Sequence, residues 1–86
     1  MNEYLMQIGD NIKSRRLDLS LIQKELESRS GVTQSMISKI ENGTAENVSI
    51  EVLRKLARAL NCSLIDLLPE ADKNFSHKDS YNAEDK

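Results

Sequence analysis

Apolar residues recur along this chain at spacings of three and four, the repeat of one helix face, and turn-forming residues interrupt the pattern four times. Five helical segments are expected between residues 4 and 68. The first spans roughly 3–18, with Leu5, Ile8 and Ile12 on one stripe. The second, about 22–29, is short and closes at Gly31, where a left-handed residue makes a tight turn inexpensive. Thr33 is an N-cap for the third, 34–42, because its hydroxyl can accept an unpaired first-turn amide, and Asn42-Gly43 stops that helix. A polar loop, 43–48, leads to a second N-cap, Ser49. The fourth segment, 50–60, aligns Ile50, Leu53, Leu56, Ala57 and Leu60. Ser63-Leu64-Ile65-Asp66 has the form of a capping box opening a short fifth helix that Pro69 ends.

The pattern fades after Pro69. From Glu70 onward only Phe75 and Tyr81 are large apolar residues, too few to offset the entropy of ordering the segment. One domain over 1–69 and a flexible acidic tail over 70–86 are the expected division. With 38% apolar residues and three aromatics, the core must be built from Leu, Ile and Val. The fold class expected is all-α.

Charge sharpens this division. The net charge of −2 resides in the tail, because residues 1–69 carry nine basic and nine acidic side chains. Within 13–39 the balance is six basic (Lys13, Arg15, Arg16, Lys24, Arg29, Lys39) to three acidic (Asp18, Glu25, Glu27), which permits a local positive face. No apolar run could span a bilayer and no basic-then-apolar leader opens the chain, so a cytoplasmic protein without membrane contact is expected. A single cysteine, Cys62, gives no intrachain disulfide.

The third segment carries the candidate chemistry. On a helical wheel, Gln34, Ser38, Asn42, Ser35 and Lys39 fall within an arc of about 140°, and Met36, Ile37 and Ile40 lie on the other side. Gln34 can pair with the major-groove edge of adenine, and Lys39 can reach guanine or phosphate, with short hydroxyls beside them. Such a face also suits an ordinary solvated helix, so its surroundings decide. A short helix, a Gly-containing turn and a second helix, opened by Gln23 and Gln34 respectively, form a helix-turn-helix arrangement.

The chain resembles the lambda-repressor-like family, also called Xre-type regulators. The matching stretches are Ile-Gly-x-x-Ile-Lys-x-x-Arg (8–16), Gln-x-x-Leu (23–26), Ser-Gly-Val-Thr (30–33), Ile-Ser-Lys-Ile-Glu-Asn-Gly (37–43) and Leu-Arg-Lys-Leu-Ala-Arg-Ala-Leu (53–60), in order and at family spacing. The resemblance implies a five-helix domain with the helix-turn-helix at its second and third helices. It implies that Gln23 contacts the DNA backbone and that Gln34, Ser35 and Lys39 face base edges with Ser38 beside them. Asn42 and the amides after Gly43 would hold phosphates, and Thr33 joins the DNA-binding set. Arg16 and Glu41 occupy the positions of a partly buried ion pair tying the first helix to the third.

Three positions depart from the family. Glu27 stands where relatives carry a small residue and must turn its stem outward or widen the helix crossing. Ile22 replaces a capping Ser or Thr, and Ser20-Leu21-Ile22-Gln23 offers a substitute capping box that would occupy Gln23. The loop 43–48 contains Glu46 and no cation.

Nothing suggests an enzyme, a metal site or a cofactor. His77 lies in the tail, and neither it nor Cys62 can be given a base or an orienting group. Surplus apolar residues, Cys62, Leu64, Ile65 and Leu68, with Ile50 nearby, are the candidate homodimer contact. Two copies about a two-fold axis would span successive major grooves, about 34 Å apart, on a near-palindromic operator. The leading expectation is therefore a sequence-specific transcriptional repressor that binds double-stranded DNA as a homodimer. The alternative is an antitoxin-type adaptor that binds a partner protein (a toxin or another regulator) and autoregulates its operon.

Overall fold

The structure, a computed structural model, describes residues 2–70. It is all-helical, with no strand among the described residues, and has four α-helices followed by one 3-10 turn: α1 (Glu3–Asp18), α2 (Gln23–Ser30), α3 (Gln34–Asn42), α4 (Ile50–Ala59) and Leu64–Leu67. The expected fifth α-helix is this 3-10 turn. Four residues between Ser63 and Leu68 are too few for a ladder of i to i−4 bonds, so the amides of Asp66 and Leu68 bond three residues back, to Ser63 and Ile65. The expected tail, 70–86, lies outside the described residues apart from Glu70.

Local chemistry accounts for the helix ends. Thr33 Oγ1 accepts from the Met36 amide at 3.2 Å, and Ser49 Oγ accepts from the Val52 amide at 3.1 Å. The amide and hydroxyl of Ser63 both donate to Asp66 Oδ2 at 3.0 Å. Gly31 and Gly43 close α2 and α3 in the left-handed conformation, at φ 80° and 77°. Residues with side chains do the same work after α1 and α4, where Ser20 and Asn61 take φ near 59° and 58°. There the Leu21 amide returns to the Arg16 carbonyl, and the Cys62 amide to that of Ala57.

The core is one cluster drawn from every element: Ile8, Ile12, Leu26, Ile37, Ile40, Leu53, Leu56, Leu60 and Leu67 among others. Each such side chain removed from water stabilises the fold by about 1.5–3 kcal/mol. α1 packs against α3, and α2 packs against both α3 and α4. α1 and α3 approach closely at Gly9, where an added Cβ would collide with the Ile40 carbonyl oxygen, so only glycine fits there. Two residues on, Asn11 Nδ2 donates to the Leu67 and Leu68 carbonyls at 3.0 and 3.2 Å, tying α1 to the 3-10 turn. No helix among the described residues is long and apolar enough to cross a membrane.

Candidate nucleic-acid interface

α3 is anchored from behind. Ile37 and Ile40 are fully buried, and Glu41 is buried beside them. Its other side leaves Gln34, Ser35, Lys39 and Asn42 exposed, with Ser38 half-buried. Met36, expected on the apolar side, is exposed. Thr33 is exposed as well, but its hydroxyl oxygen is engaged as the helix cap. Asn42 Nδ2 donates to Ser38 Oγ at 3.3 Å, a surface bond that another acceptor can replace. The outward face thus offers amides, hydroxyls and one ammonium, a mixture of donors and acceptors matched to base edges and phosphates.

The ionic cluster behind this face is geometrically tight. Arg16 Nε donates to Glu41 Oε2 at 2.8 Å, and Arg16 Nη2 donates to Glu41 Oε1 at 2.9 Å, a bidentate pair. Arg16 Nη1 donates to the Leu21 carbonyl at 2.7 Å. Donation to the Glu41 carboxylate raises the Arg16 pKa above its ordinary value, and burial opposes the rise. No buried side-chain nitrogen or oxygen among the described residues lacks a partner.

Gln23 differs from the expected picture. Its Nε2 donates to Glu41 Oε1 at 3.0 Å, joining the head of α2 to the ion pair. The expected capping box from Ser20 to Gln23 does not form, because Ser20 belongs to the left-handed turn that ends α1. Instead Glu25 Oε1 accepts from the Ile22 amide at 2.9 Å and supplies half a capping box itself. This pairing was visible as Ile22-x-x-Glu25, but the Gln23–Glu41 contact spans 18 residues and had no local signal.

A second correction concerns the loop after α3. The amides of Thr44 and Ala45 turn back to the Lys39 carbonyl at 2.9 and 3.2 Å, so neither is free for the phosphate role expected of the amides after Gly43. Glu27 is half-buried on α2 and engages no partner among the described residues. The four residues expected at a dimer contact divide: Cys62, Leu64 and Leu68 pack partly against the core, and Ile65 is 46% exposed. Ile50, at the head of α4, is 67% exposed. No cluster of metal-ligating side chains occurs among the described residues.

These features define a small helical domain with an anchored polar helix on its surface. Residues 12–67 match the family model described as helix-turn-helix, and the chain belongs to this family of DNA-binding transcriptional regulators, in its lambda-repressor-like branch. It is 35% identical over 66 residues to the HTH-type transcriptional regulator y4dJ of Sinorhizobium fredii, covering 77% of this chain and 84% of that protein. It is 35% identical over 74 residues to the antitoxin PezA of Streptococcus pneumoniae, covering 86% of this chain and 46% of PezA, so it spans about half the length of that relative. Among solved structures it is similar to the restriction-modification controller protein C.AhdI of Aeromonas hydrophila. That likeness has a TM-score of 0.74 at 30% identity and covers 78% of this chain and all of the other.

Proposed function

We propose that this protein is a sequence-specific DNA-binding repressor that acts as a homodimer on a near-palindromic operator. In this reading α2 and α3 are the helix-turn-helix, and α3 is the helix that enters the major groove. The carrying observation is the outward face of α3, with Gln34, Ser35, Lys39 and Asn42 exposed while Ile37, Ile40 and Glu41 hold the helix from behind. We assign base contacts to Gln34, Ser35 and Lys39, with Ser38 beside them, and backbone contacts to Gln23, Thr33 and Asn42. The functional domain is residues 1–69, a binding module rather than an enzyme, acting in the cytoplasm.

Dimerisation follows from the economy of the surface. One recognition helix reads only a few base pairs, and cations are sparse, so a second copy supplies both information and affinity. The exposed Ile65 is the best candidate centre for that contact, because Cys62, Leu64 and Leu68 spend part of their surface on the core. The direct test is selection of bound duplexes from a random pool, followed by footprinting. Recovery of an inverted repeat with half-sites about one helical turn apart supports this function. Recovery of no preferred sequence overturns it.

The similarity to PezA favours a second reading, an antitoxin-type adaptor that binds a partner protein and regulates its own operon. Copurification of the full chain with the product of an adjacent gene, together with inhibition of that product's activity, would decide for it.

A further inference from the structure

Gln23 meets two demands, one from the fold and one from DNA, and its amide chemistry lets it satisfy both. The Glu41 carboxylate, with a side chain 1% exposed, accepts from Arg16 Nε on Oε2 and from Arg16 Nη2 and Gln23 Nε2 on Oε1. An ionised carboxylate only accepts, so the orientation of the Gln23 amide is not free. Its nitrogen must face Glu41, since a flipped amide would set a carbonyl oxygen against a carboxylate oxygen and leave a donor unmade. The NH2 group carries two donors, and Glu41 Oε1 engages one of them. The other remains on a half-buried side chain at the first residue of α2, beside Ile22, which offers no capping oxygen.

We propose that Glu41 is a positioning residue for DNA binding that acts through Gln23. It holds the Gln23 amide nitrogen so that the second N–H, rather than the carbonyl, is presented to a backbone phosphate. The assignment rests on the reading above, in which α2 and α3 lie against DNA. It adds that the phosphate grip of α2 and the base contacts of α3 are one rigid piece. Glu41 lies between Ile40 and Asn42 on α3, and Arg16 carries the same pair into α1 and, through the Leu21 carbonyl, into the α1–α2 turn. Gln23 keeps its bond to Glu41 while it binds phosphate, because each contact uses a different proton.

The test is nitrogen-edited NMR of the Gln23 side-chain amide in the full chain, free and with the duplex recovered from the random pool. The expected result is that one amide proton shifts on DNA binding while the proton facing Glu41 keeps its frequency and its slow exchange. Movement of the Glu41-facing proton to a solvent-like frequency would show that Gln23 abandons Glu41 for DNA and would overturn the proposal. Shifts of α3 backbone amides with neither Gln23 proton moving would overturn it while sparing the wider function; no shift anywhere in α3 would overturn both. A double-mutant cycle gives an independent readout. Glu41→Gln should weaken affinity for that duplex about fivefold in the wild-type background and less than about twofold in the Gln23→Ala background. Equal losses in the two backgrounds would mean that Glu41 does not act through Gln23.

Discussion

α3 and α4 are both amphipathic, and their outward faces are built from different chemistry. α3 shows Gln34, Ser35, Ser38, Lys39 and Asn42, amides and hydroxyls around one long cation. α4 shows Glu51, Arg54, Lys55 and Arg58 beside the exposed Ile50, with a long surface ion pair of 3.7 Å between Lys55 and Glu51. A row of long cations such as that on α4 gives solvation and general attraction to polyanions, whereas the amides and hydroxyls of α3 allow close backbone approach and, with Lys39, offer donors and acceptors at fixed positions. The supports differ too. α4 is held by apolar packing through Leu53, Leu56 and Ala57, while α3 adds a buried bidentate ion pair to its isoleucines. Periodicity distinguishes buried faces from exposed ones; donor and acceptor chemistry then distinguishes one exposed face from the other.

The sharpest way to break this comparison is to remove the polar support of α3. Glu41→Ala leaves the Arg16 guanidinium buried without its partner and should cost about 3–5 kcal/mol of stability. Thermal melting measures it, and a loss below about 1 kcal/mol would mean the two helices are held alike. Replacement of both Arg16 and Glu41 should cost less than the sum of the single changes. Gly9→Ala comes next: its Cβ would strike the Ile40 carbonyl, forcing α1 and α3 apart at a cost of about 1–3 kcal/mol by denaturant unfolding.

Much of this arrangement was legible beforehand and some was not, for physical reasons. Helix spans and the caps at Thr33 and Ser49 follow from interactions within four residues, which a linear pattern contains. The pairing of Arg16 with Glu41 crosses 25 residues, and family resemblance rather than periodicity suggested it. Gln23 was expected at phosphate because its position matched the family, and its bond to Glu41 appears only once α2 and α3 are packed. The phosphate role of the amides after Gly43 rests on the family resemblance alone; the left-handed turn at Gly43 folds those of Thr44 and Ala45 back onto the Lys39 carbonyl. Gly9 did carry a signal, since glycine inside a helix costs about 1 kcal/mol relative to alanine and needs a reason.

In the 3-10 turn, Ile65→Glu tests whether that exposed apolar residue is the dimer contact. Cooperative binding to a two-half-site duplex should be lost while melting changes by less than about 1 kcal/mol, because Ile65 contributes little to the core. Unchanged cooperativity would move the contact elsewhere. The smallest effect belongs to α4. Arg54→Ala and Arg58→Ala should each change stability by no more than about 0.5 kcal/mol and leave base preference untouched. A changed preference in a pool selection would make α4 a reading surface as well.

Base reading by α3 is tested most directly by the affinities of Gln34→Ala and Lys39→Ala for two duplexes, the selected site and a random sequence, at the same salt concentration. Each substitution should cost about 1–3 kcal/mol on the selected site, relax preference at one base pair, and change random-sequence binding far less. Equal weakening on both duplexes would reduce Gln34 and Lys39 to backbone contacts and contradict the assignment of α3 as the recognition helix.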